Sequence, residues 1–414
     1  MNERVYMYKC RLCGSNSLTR ILDLGTTPPA DRFLRKDQLC DVEPFFPLVV
    51  VRCDGCFFVQ LNYVVPPKIL YQEDYPYESS TTQAGRTHFE AFAASVIDAF
   101  SLSEKDLAVD IGSNVGILLK GFQDRGCRVL GIDPANNIAQ IARDNGIPTL
   151  TDFFGPGIAE RIVTEYGKAS VITASNVFAH IDDLSCLMTE VKTLLTDKGV
   201  FIVEAPYLMH LIENLEYDTI YHEHLSYLSI MPLVPFFERC GFTLFDIKQV
   251  DIHGGSIRLF ICKSGRYPVS QTVADYLKKE EEKHIHSLET FTAFANSVVN
   301  NKNQLRTLLA DLKAQGNRIA AVSAPAKGMT LLNYCGIGSE LIEFVTEKSE
   351  LKIGKFTPGT HLPVKDDGAL LSENIDYALL LAWNFKDEIM KNLAPFTEKG
   401  GHFIIPIPKP IIAQ

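Results

Sequence analysis

The sequence lacks the features of several common protein classes. No apolar run approaches the roughly 20 residues that span a bilayer, and the first residues, Met1-Asn2-Glu3-Arg4, contain no apolar signal-peptide segment. Basic residues are outnumbered by acidic ones: the chain has 40 Lys and Arg and 50 Asp and Glu. The net charge of −10 argues against a general nucleic-acid-binding surface. These absences predict a cytoplasmic protein that binds neither membrane nor nucleic acid, with room for local basic sites.

Two closely spaced cysteine pairs lie near the amino terminus. They are Cys10 with Cys13 and Cys53 with Cys56, and each pair can direct two thiolates at one ion. A redox pair is the alternative, but two matched pairs in one short segment argue against it. The spacing therefore predicts tetrahedral zinc. Because all four ligands come from the protein, the metal is expected to be structural.

The stretch between and after the cysteine pairs combines a predicted strand with a polar and aromatic run. Residues 44–51 have the apolar, β-branched character of a strand. The run that follows contains Tyr71, Tyr75 and Tyr77. It could line a sugar site or form a surface linker.

A glycine turn between two predicted strands indicates a nucleotide-type binding domain. Residues 107–112 and 128–133 are expected to be strands, with a helix beginning at Ile117, and this βαβ unit ends in Asp133. The turn lacks the GxGxxG of dinucleotide enzymes; its Asp-x-Gly-x-x-x-Gly form is typical of S-adenosylmethionine binding. The expected donor-binding residues here are Asp110, Gly112, Asn114, Gly116 and Asp133. Asp133 is placed to accept hydrogen bonds from ribose hydroxyls, although an Asp there can also cap a helix.

The strands that follow extend the same domain. Residues 147–150, 169–174 and 199–204 are predicted strands. Asp152 and Phe153 follow the first of them, where adenine contacts are expected. Ligands bind beyond the carboxyl ends of such strands, so the other polar groups expected in this crevice are Asn176, His180 and Glu204. His180 could instead cap the following helix.

The carboxy-terminal part predicts a second, smaller α/β domain. A Gly-rich turn precedes a strand at 259–262, residues 272–314 have helical periodicity, and further strands are predicted at 318–323, 342–345, 377–382 and 402–405. Lys327 lies beside a predicted helix N-terminus, where phosphate binding is favoured. It could also be a solvated loop residue.

The run Tyr221-His222-Glu223-His224 places a phenol, two imidazoles and a carboxylate in four consecutive positions. Such groups suit proton transfer, because His titrates near neutral pH and its neighbours can tune it. The alternative is that these side chains only fill a core.

Taken together, these motifs resemble those of the sugar C-methyltransferases that act on nucleotide-linked 4-keto-6-deoxyhexoses. The resemblance runs almost end to end and is carried by the cysteine pairs and by the segments 109–116, 204–207, 217–227, 253–258 and 324–328. It implies an α/β protein in three parts: a zinc-binding domain (1–80), a central Rossmann-like domain that binds S-adenosylmethionine (81–246) and a smaller C-terminal Rossmann-like α/β domain (247–414) that contributes to nucleotide-sugar binding. Val322-Ser323 departs from the family pattern, where a Tyr-Gly-like pair is expected.

The resemblance also implies a reaction and its residues. A methyl group passes to C3, beside a C4 ketone, with His224 as the base, Tyr221 near the developing enolate, His180 and Asn176 in the same pocket, and Glu223 supporting it. The substrate-binding residues are expected to be Tyr75, Tyr77, Tyr207, His253, Arg258 and Lys327. The substrate is a small dTDP- or GDP-linked sugar, and a monomer is expected.

Three other functions stay open at the level of sequence. An NAD-dependent sugar oxidoreductase uses the same kind of βαβ unit. An O- or N-methyltransferase needs only a base and a nucleophile. A non-enzymatic zinc module that binds a protein partner would leave the donor crevice unexplained.

Overall fold

The computed structural model describes residues 9–71, 83–250 and 255–413. The strands are β1 (Leu18–Thr27), β2 (Phe46–Cys53), β3 (Val59–Leu61), β4 (Leu107–Ile111), β5 (Arg128–Ile132), β6 (Thr149–Leu150), β7 (Ala169–Ser175), β8 (Leu195–Pro206), β9 (Ser226–Tyr227), β10 (Phe242–Val250), β11 (Ser256–Lys263), β12 (Ile319–Val322), β13 (Val345–Thr346), β14 (Val364–Lys365), β15 (Tyr377–Leu380), β16 (His402–Ile405) and β17 (Ile411–Ala413).

The helices alternate with these strands over most of the chain. They are α1 (Pro67–Tyr71), α2 (Gln83–Phe100), α3 (Ile117–Gln123), α4 (Asn136–Asp144), α5 (Ile158–Tyr166), α6 (Leu184–Leu194), α7 (Leu208–Glu213), α8 (Ile230–Arg239), α9 (Gln271–Glu282), α10 (Leu288–Ala314), α11 (Ala326–Cys335), α12 (Ala369–Ser372), α13 (Lys386–Asn392) and α14 (Ala394–Glu398). None of the helices in the described part of the chain has both the length and the apolar character needed to span a membrane.

The central sheet has seven strands in the order β10-β11-β8-β7-β4-β5-β6. Strands β4 to β8 pair in parallel, and all five residues of β4 are buried, as expected where helices cover both faces of a parallel sheet. The predicted strands of this domain are confirmed, although the third is only two residues long. This sheet brings the carboxyl ends of β4, β5 and β7 to one edge.

The central sheet also continues past residue 246, where we expected the domain to end. That residue lies inside β10, and β11 pairs antiparallel with β8 from Ser256 to Cys262. The first seven residues of β11 are buried, so this strand requires cover on both of its faces. Its place in the central sheet supplies that cover.

The amino-terminal sheet has the order β1-β2-β3-β9 and is antiparallel. The strand predicted at 44–51 is found as β2, two residues later, whereas β1 was not predicted. The fourth strand, β9, comes from far along the chain: Tyr227 pairs with Val59, and Ser226 pairs with Gln60. The sheet of the cysteine-rich domain therefore includes the segment directly after His224.

The carboxy-terminal sheet has six strands in the order β14-β13-β12-β15-β16-β17, and only β17 runs antiparallel. The predicted α/β character of this domain and the long helices of residues 272–314, found as α9 and α10, are confirmed. Leu305, Leu309 and Leu312 of α10 are buried together with Leu22 of β1 and Tyr217. One hydrophobic core thus joins the amino-terminal sheet, the C-terminal domain and the approach to His224.

Candidate active site

A cavity of 550 Å³ opens at the carboxyl ends of β4, β5 and β7, and all three parts of the chain line it. Most residues predicted to form the site contribute to its wall: Asp110, Gly112, Asn114, Asp133, Asp152, Phe153, Asn176, His180, Tyr221, Glu223, His224 and Lys327. Of the remaining predictions, Tyr75, Tyr77 and His253 lie outside the described residues. The donor-type turn and the histidine run therefore face one space.

The turn after β4 is shaped by residues with positive φ. Gly112 has a φ of 66°, and a Cβ there would lie 2.4 Å from Cγ2 of Val177. Gly116, at a φ of 80°, begins α3 outside the cavity wall, and a Cβ there would lie 2.9 Å from Ile147. Glycine at these two positions lets the backbone pass close to its neighbours, and at Gly112 also to a ligand in the cavity.

Asp133 lies directly after β5 and faces this turn. Its carboxylate accepts hydrogen bonds from the main-chain N–H groups of Asn114 and Ala135, both at 2.9 Å. The N-cap of α4 is Ala135, so Asp133 does not occupy the capping position. A carboxylate offers about four acceptor positions, which leaves acceptor capacity for two ribose hydroxyls.

Asp110 lies at the back of the cavity, at the end of β4. The hydroxyl of Thr173 donates to its carboxylate at 2.6 Å. Burial raises the pKa of Asp110 to about 7, and the nearby charge of Asp133 acts in the same direction. This carboxyl group therefore titrates close to neutral pH.

Several buried polar atoms of the cavity wall have no hydrogen-bond partner among the described residues. They are Oγ of Ser113, Oγ of Ser175 and Oδ1 of Asn176. Buried polar groups are nearly always hydrogen-bonded in native proteins, so these atoms indicate a place for a polar ligand. Phe153, 37% exposed, offers an aromatic face to the same space, beside the exposed carboxylate of Asp152. The combination fits S-adenosylmethionine, which has an amino acid, a ribose and an aromatic base.

His224 lies in the cavity wall with a defined ring orientation. Its Nδ1 lies 2.7 Å from the main-chain oxygen of Thr219. A carbonyl oxygen can only accept, so Nδ1 carries the proton and Nε2 of the neutral ring carries the lone pair. The ring centroid lies 4.0 Å from that of Tyr221 and 5.0 Å from that of His180. The geometry suits a base flanked by two further polar rings.

His180 lies in the cavity wall between His224 and Tyr71. Burial lowers its pKa well below the ordinary value, and the neighbouring His224 adds to that shift, so His180 is neutral. The hydroxyl of Tyr71 lies 3.4 Å from Nδ1, and Nε2 is buried with no partner in the described ranges. Burial also raises the pKa of Tyr71, and the charge of Glu223 raises it further, so Tyr71 keeps its proton.

His222 faces the other way from its two neighbours. It is 1% exposed, its Nε2 lies 3.2 Å from the oxygen of Phe46, and burial lowers its pKa to about 4. The four residues of the histidine run therefore face two directions. Tyr221, Glu223 and His224 line the cavity, while His222 attaches the run to β2.

Lys327 lines the cavity from the first turn of α11. Burial lowers its pKa, while the carboxylates of Asp218 and Glu216 oppose that shift, and its ammonium lies 4.0 Å from the ring centroid of Trp383. Lys327 is thus not a solvated loop residue. Asp218 is itself fully buried and accepts a hydrogen bond of 2.7 Å from Nε1 of Trp383.

Two residues predicted to bind substrate do not line this cavity. Tyr207 is buried and donates its hydroxyl to Glu280 at 2.8 Å. Arg258 faces Glu204 across the pairing of β11 with β8 and donates to it at 2.9 and 2.6 Å, with its guanidinium 3.4 Å from the ring centroid of Phe92.

Glu204, which we also expected in the crevice, is absent from the wall. Its second oxygen lies 2.6 Å from Nε2 of His88. Arg258 and Glu204 pair with each other because a buried charge is most stable beside a partner of opposite charge.

Other cavity residues were not predicted. Lys352 donates to the main-chain oxygen of Ala324 at 2.7 Å and lies 3.6 Å from the buried carboxylate of Asp31. Both line the cavity, as does Glu347, whose carboxylate accepts from the N–H of Ala324. No local motif brings together residues so far apart in the chain.

The four cysteines of the amino-terminal domain converge as predicted. Their sulfur atoms all lie within 4.8 Å of one another, and Sγ of Cys10 lies 3.5 Å from Sγ of Cys56, as Sγ of Cys13 does from Sγ of Cys53. Tetrahedral zinc with bonds of about 2.3 Å separates its sulfurs by about 3.8 Å. The cluster fits zinc and, because none of its cysteines lines the cavity, its metal is structural.

Comparison with known families places three models on consecutive parts of the chain. The "Putative zinc binding domain" matches residues 10–71, the "Methyltransferase domain" matches residues 86–247, and the "C-methyltransferase C-terminal domain" matches residues 251–408. Among curated proteins, the C-methyltransferase NovU of Streptomyces niveus is 36% identical over 403 residues, which cover 97% of this chain and 96% of NovU.

Solved structures resemble the chain only distantly. The magnesium protoporphyrin IX methyltransferase of Synechocystis PCC 6803 with bound SAH has a TM-score of 0.35 and 14% identity over 45% of this chain and 90% of its own. A methyltransferase from Clostridium acetobutylicum has a TM-score of 0.36 and 14% identity over 44% of this chain and 92% of its own. Likenesses at this level do not establish a shared function.

Proposed function

Because this chain belongs to the C-methyltransferase family, we propose that it transfers a methyl group from S-adenosylmethionine to C3 of a nucleotide-linked 4-keto-6-deoxyhexose. The observation that carries the proposal is the orientation of His224, whose Nδ1 donates to Thr219 so that Nε2 carries the lone pair of the neutral ring in the cavity wall. The same cavity contains the turn suited to the donor. The turn proposed for the donor and the proposed base therefore line the same cavity.

Bound S-adenosylmethionine would supply a methyl group on a positively charged sulfur. The turn at Gly112 lets the main chain approach the methionine part, and Asp133 accepts from the ribose hydroxyls. Phe153 would pack against the adenine. Asn176 offers its unpartnered Oδ1 toward the donor or the sugar.

The acceptor carbon needs electron density before it can attack a methyl group. A neighbouring ketone makes its C–H bond acidic, so a positioned base can remove the proton and form an enolate. Nε2 of His224 is that base, with Thr219 holding the opposite nitrogen. Removing the C3 proton makes His224 cationic, and the buried Glu223 nearby is placed to stabilise that charge.

The negative charge of the enolate collects on the C4 oxygen, and hydrogen-bond donors aimed there lower the barrier. Tyr221, whose ring lies against that of His224, provides one such donor. With Tyr71 donating to Nδ1, the neutral His180 carries its proton on Nε2 and provides a second.

The C-terminal domain completes the proposed substrate site. Lys327 and Lys352 both present ammonium groups to the cavity near the first turn of α11. Cations beside a helix N-terminus favour phosphate, so we assign the dTDP or GDP diphosphate to this wall. We further propose a monomer located in the cytoplasm, since thiols stay reduced in that compartment and suit a zinc site made of four thiolates.

The test is incubation of the protein with methyl-deuterated S-adenosylmethionine and a panel of dTDP- and GDP-linked 4-keto-6-deoxyhexoses. Mass spectrometry measures methyl transfer, and NMR locates the new methyl group. We expect a carbon-bound methyl at C3 of one panel member and no product from its C4-reduced analogue. Methylation of the reduced analogue on oxygen or nitrogen would replace carbon transfer with that chemistry.

A further inference from the structure

Arg11 lies between two zinc ligands, Cys10 and Cys13, yet its side chain points away from the cysteine cluster into the protein. The side chain has no exposed surface. Its main-chain N–H donates to Oε1 of Gln60 at 2.9 Å, and the amide of Gln60 donates to the oxygen of Lys9. The first cysteine pair and the strand β3 are therefore fixed to each other on both sides of Arg11.

The guanidinium of Arg11 contacts the segments that carry both histidines of the cavity. Its Nη1 donates to the main-chain oxygen of Leu225, the residue after His224, at 3.2 Å, and to the oxygen of Leu61 at 2.9 Å. Its Nε donates to the carboxylate of Asp182, two residues after His180, at 2.9 Å. One planar group thus connects the two segments.

These contacts of Arg11 constrain the distance between the segments that carry His180 and His224 more strongly than a flexible side chain would. A guanidinium presents its N–H donors in a rigid fork; this fork is buried, while the carboxylate of Asp182 that it contacts is 40% exposed. Leu225 also accepts from the N–H of Leu61, and the pairing of β3 with β9 continues the connection. Movement of the Asp182 segment would take the counter-ion from a buried cation, and movement of the Leu225 segment would take one acceptor from it, so both movements are disfavoured.

We propose that Arg11 is a positioning residue that fixes the separation of His180 and His224, so that the zinc-binding cysteine pair forms part of the active-site scaffold. The inference rests on the proposed function, in which those histidines act on one sugar ring. Arg11 itself does not line the cavity. Its effect therefore passes through the two segments and not through contact with substrate.

The experiment compares Arg11→Lys with Asp182→Asn in the full-length zinc-loaded protein. Lysine keeps the charge but lacks the fork, and asparagine weakens the link without altering the cysteine pair. Arg239→Lys is the matched control, because Arg239 donates to the oxygen of Leu12 in the same cysteine pair and, within the described residues, has no hydrogen bond to the segments of His180 or His224. Zinc content, melting temperature, kcat, KM for both substrates and histidine side-chain ¹⁵N spectra are measured for each.

We expect Arg11→Lys and Asp182→Asn to lower kcat by about 10- to 100-fold, since misplacement by an ångström has effects of that size. KM for both substrates and zinc content should stay near parent values, and the ring signals of His180 and His224 should shift. Arg239→Lys should match the parent. If Arg11→Lys does not fold, the histidine ring signals of Asp182→Asn decide, because Asp182 itself lines the cavity and its kcat alone does not separate positioning from contact with substrate.

Unchanged kcat and unchanged histidine signals in both variants would overturn the inference, as would a fall in kcat that only parallels zinc loss. A parent protein that methylates no panel sugar would instead contradict the proposed function. In that case the histidine signals of the same variants still decide whether Arg11 positions the two rings.

Discussion

The imidazole of His224 donates from Nδ1 to the main-chain oxygen of Thr219 at 2.7 Å. Thr219 ends a short 3₁₀ turn, Tyr217–Thr219, whose side chains are buried. Because this turn sets the tautomer of His224, whatever holds the turn also orients the proposed base. Asp218, one residue earlier, is held in turn by Trp383 of the C-terminal domain.

We expect Trp383→Phe to destabilise the protein by about 1–3 kcal/mol at pH 8, the usual cost of losing a hydrogen bond to a buried charged group. Burial already raises the pKa of Asp218, and the bond from Trp383 opposes that shift. Trp383→Phe raises the pKa of Asp218 further. A group whose pKa is higher in the folded than in the unfolded protein lowers the stability of the fold as pH rises from its unfolded pKa to its folded pKa. The loss of stability that Trp383→Phe causes, measured by thermal unfolding, should therefore be smaller at pH 5 than at pH 8. The same substitution in an Asp218→Asn background should cost less; an equal cost would separate Trp383 from Asp218.

Donor affinity should rise as pH increases from 6 to 8. Burial raises the pKa of Asp110 to about 7, so its charge, which attracts a cationic donor, forms across this range. The gain in donor affinity between pH 6 and pH 8 is at most about tenfold for one group with that pKa. Calorimetric titration with S-adenosylmethionine measures it. Asp110→Asn should abolish the pH dependence, while Asp144→Asn, an exposed control on α4, should retain it. A pH-independent parent would contradict this assignment.

Cys53→Ser should remove zinc and lower the melting temperature of the amino-terminal domain. Binding of structural zinc contributes directly to folding free energy, and Cys53 is fully buried within the sulfur cluster. Zinc content by atomic absorption and thermal unfolding measure both effects. Cys40→Ser is the control, because Cys40 is exposed and outside the cluster. A parent-like zinc content in Cys53→Ser would remove that residue from the ligand set.

Arg258→Met should lower stability by about 3–5 kcal/mol, the usual cost of leaving one partner of a buried ion pair unpaired. KM for the sugar nucleotide should not change, because Arg258 pairs with Glu204 away from the cavity. Arg266→Met removes an exposed pair with Asp197 and should cost less than about 1 kcal/mol. A raised KM with unaltered stability in Arg258→Met would restore a substrate-binding role.

Regular patterns in the sequence predicted much of the fold. The apolar strand 107–112 and the acid at 133 gave the βαβ unit correctly, since such strands are buried on both faces. The strand at 256–263 shows where this reasoning ends. Its residues predict a strand, but only pairing with β8 determines that it belongs to the central sheet. Local pattern contains no information about that partner.

The candidate site shows the same contrast between what short sequence segments predict and what only tertiary packing determines. The residues near Gly112 and His224 were predicted to share one crevice because their chemistry is concentrated in short segments, and they line one cavity. Arg258 and Tyr207 occur in equally suggestive segments, but pairing with Glu204 and Glu280 directs them into the interior. Asp31 and Lys352 were missed for the opposite reason: each is unremarkable alone, and only the packing of the first domain against the last brings them together.

The most direct test of the proposed mechanism is hydrogen exchange at C3 of the accepted 4-keto sugar in D₂O, without donor, for the parent and His224→Ala. We predict exchange by the parent and a loss of at least about 100-fold in the variant, matched by its loss of methylation, with donor affinity unchanged. His402→Ala, at an exposed position on β16, should behave as the parent. Exchange and methylation by His224→Ala at the parent's rate would show that another group removes the proton.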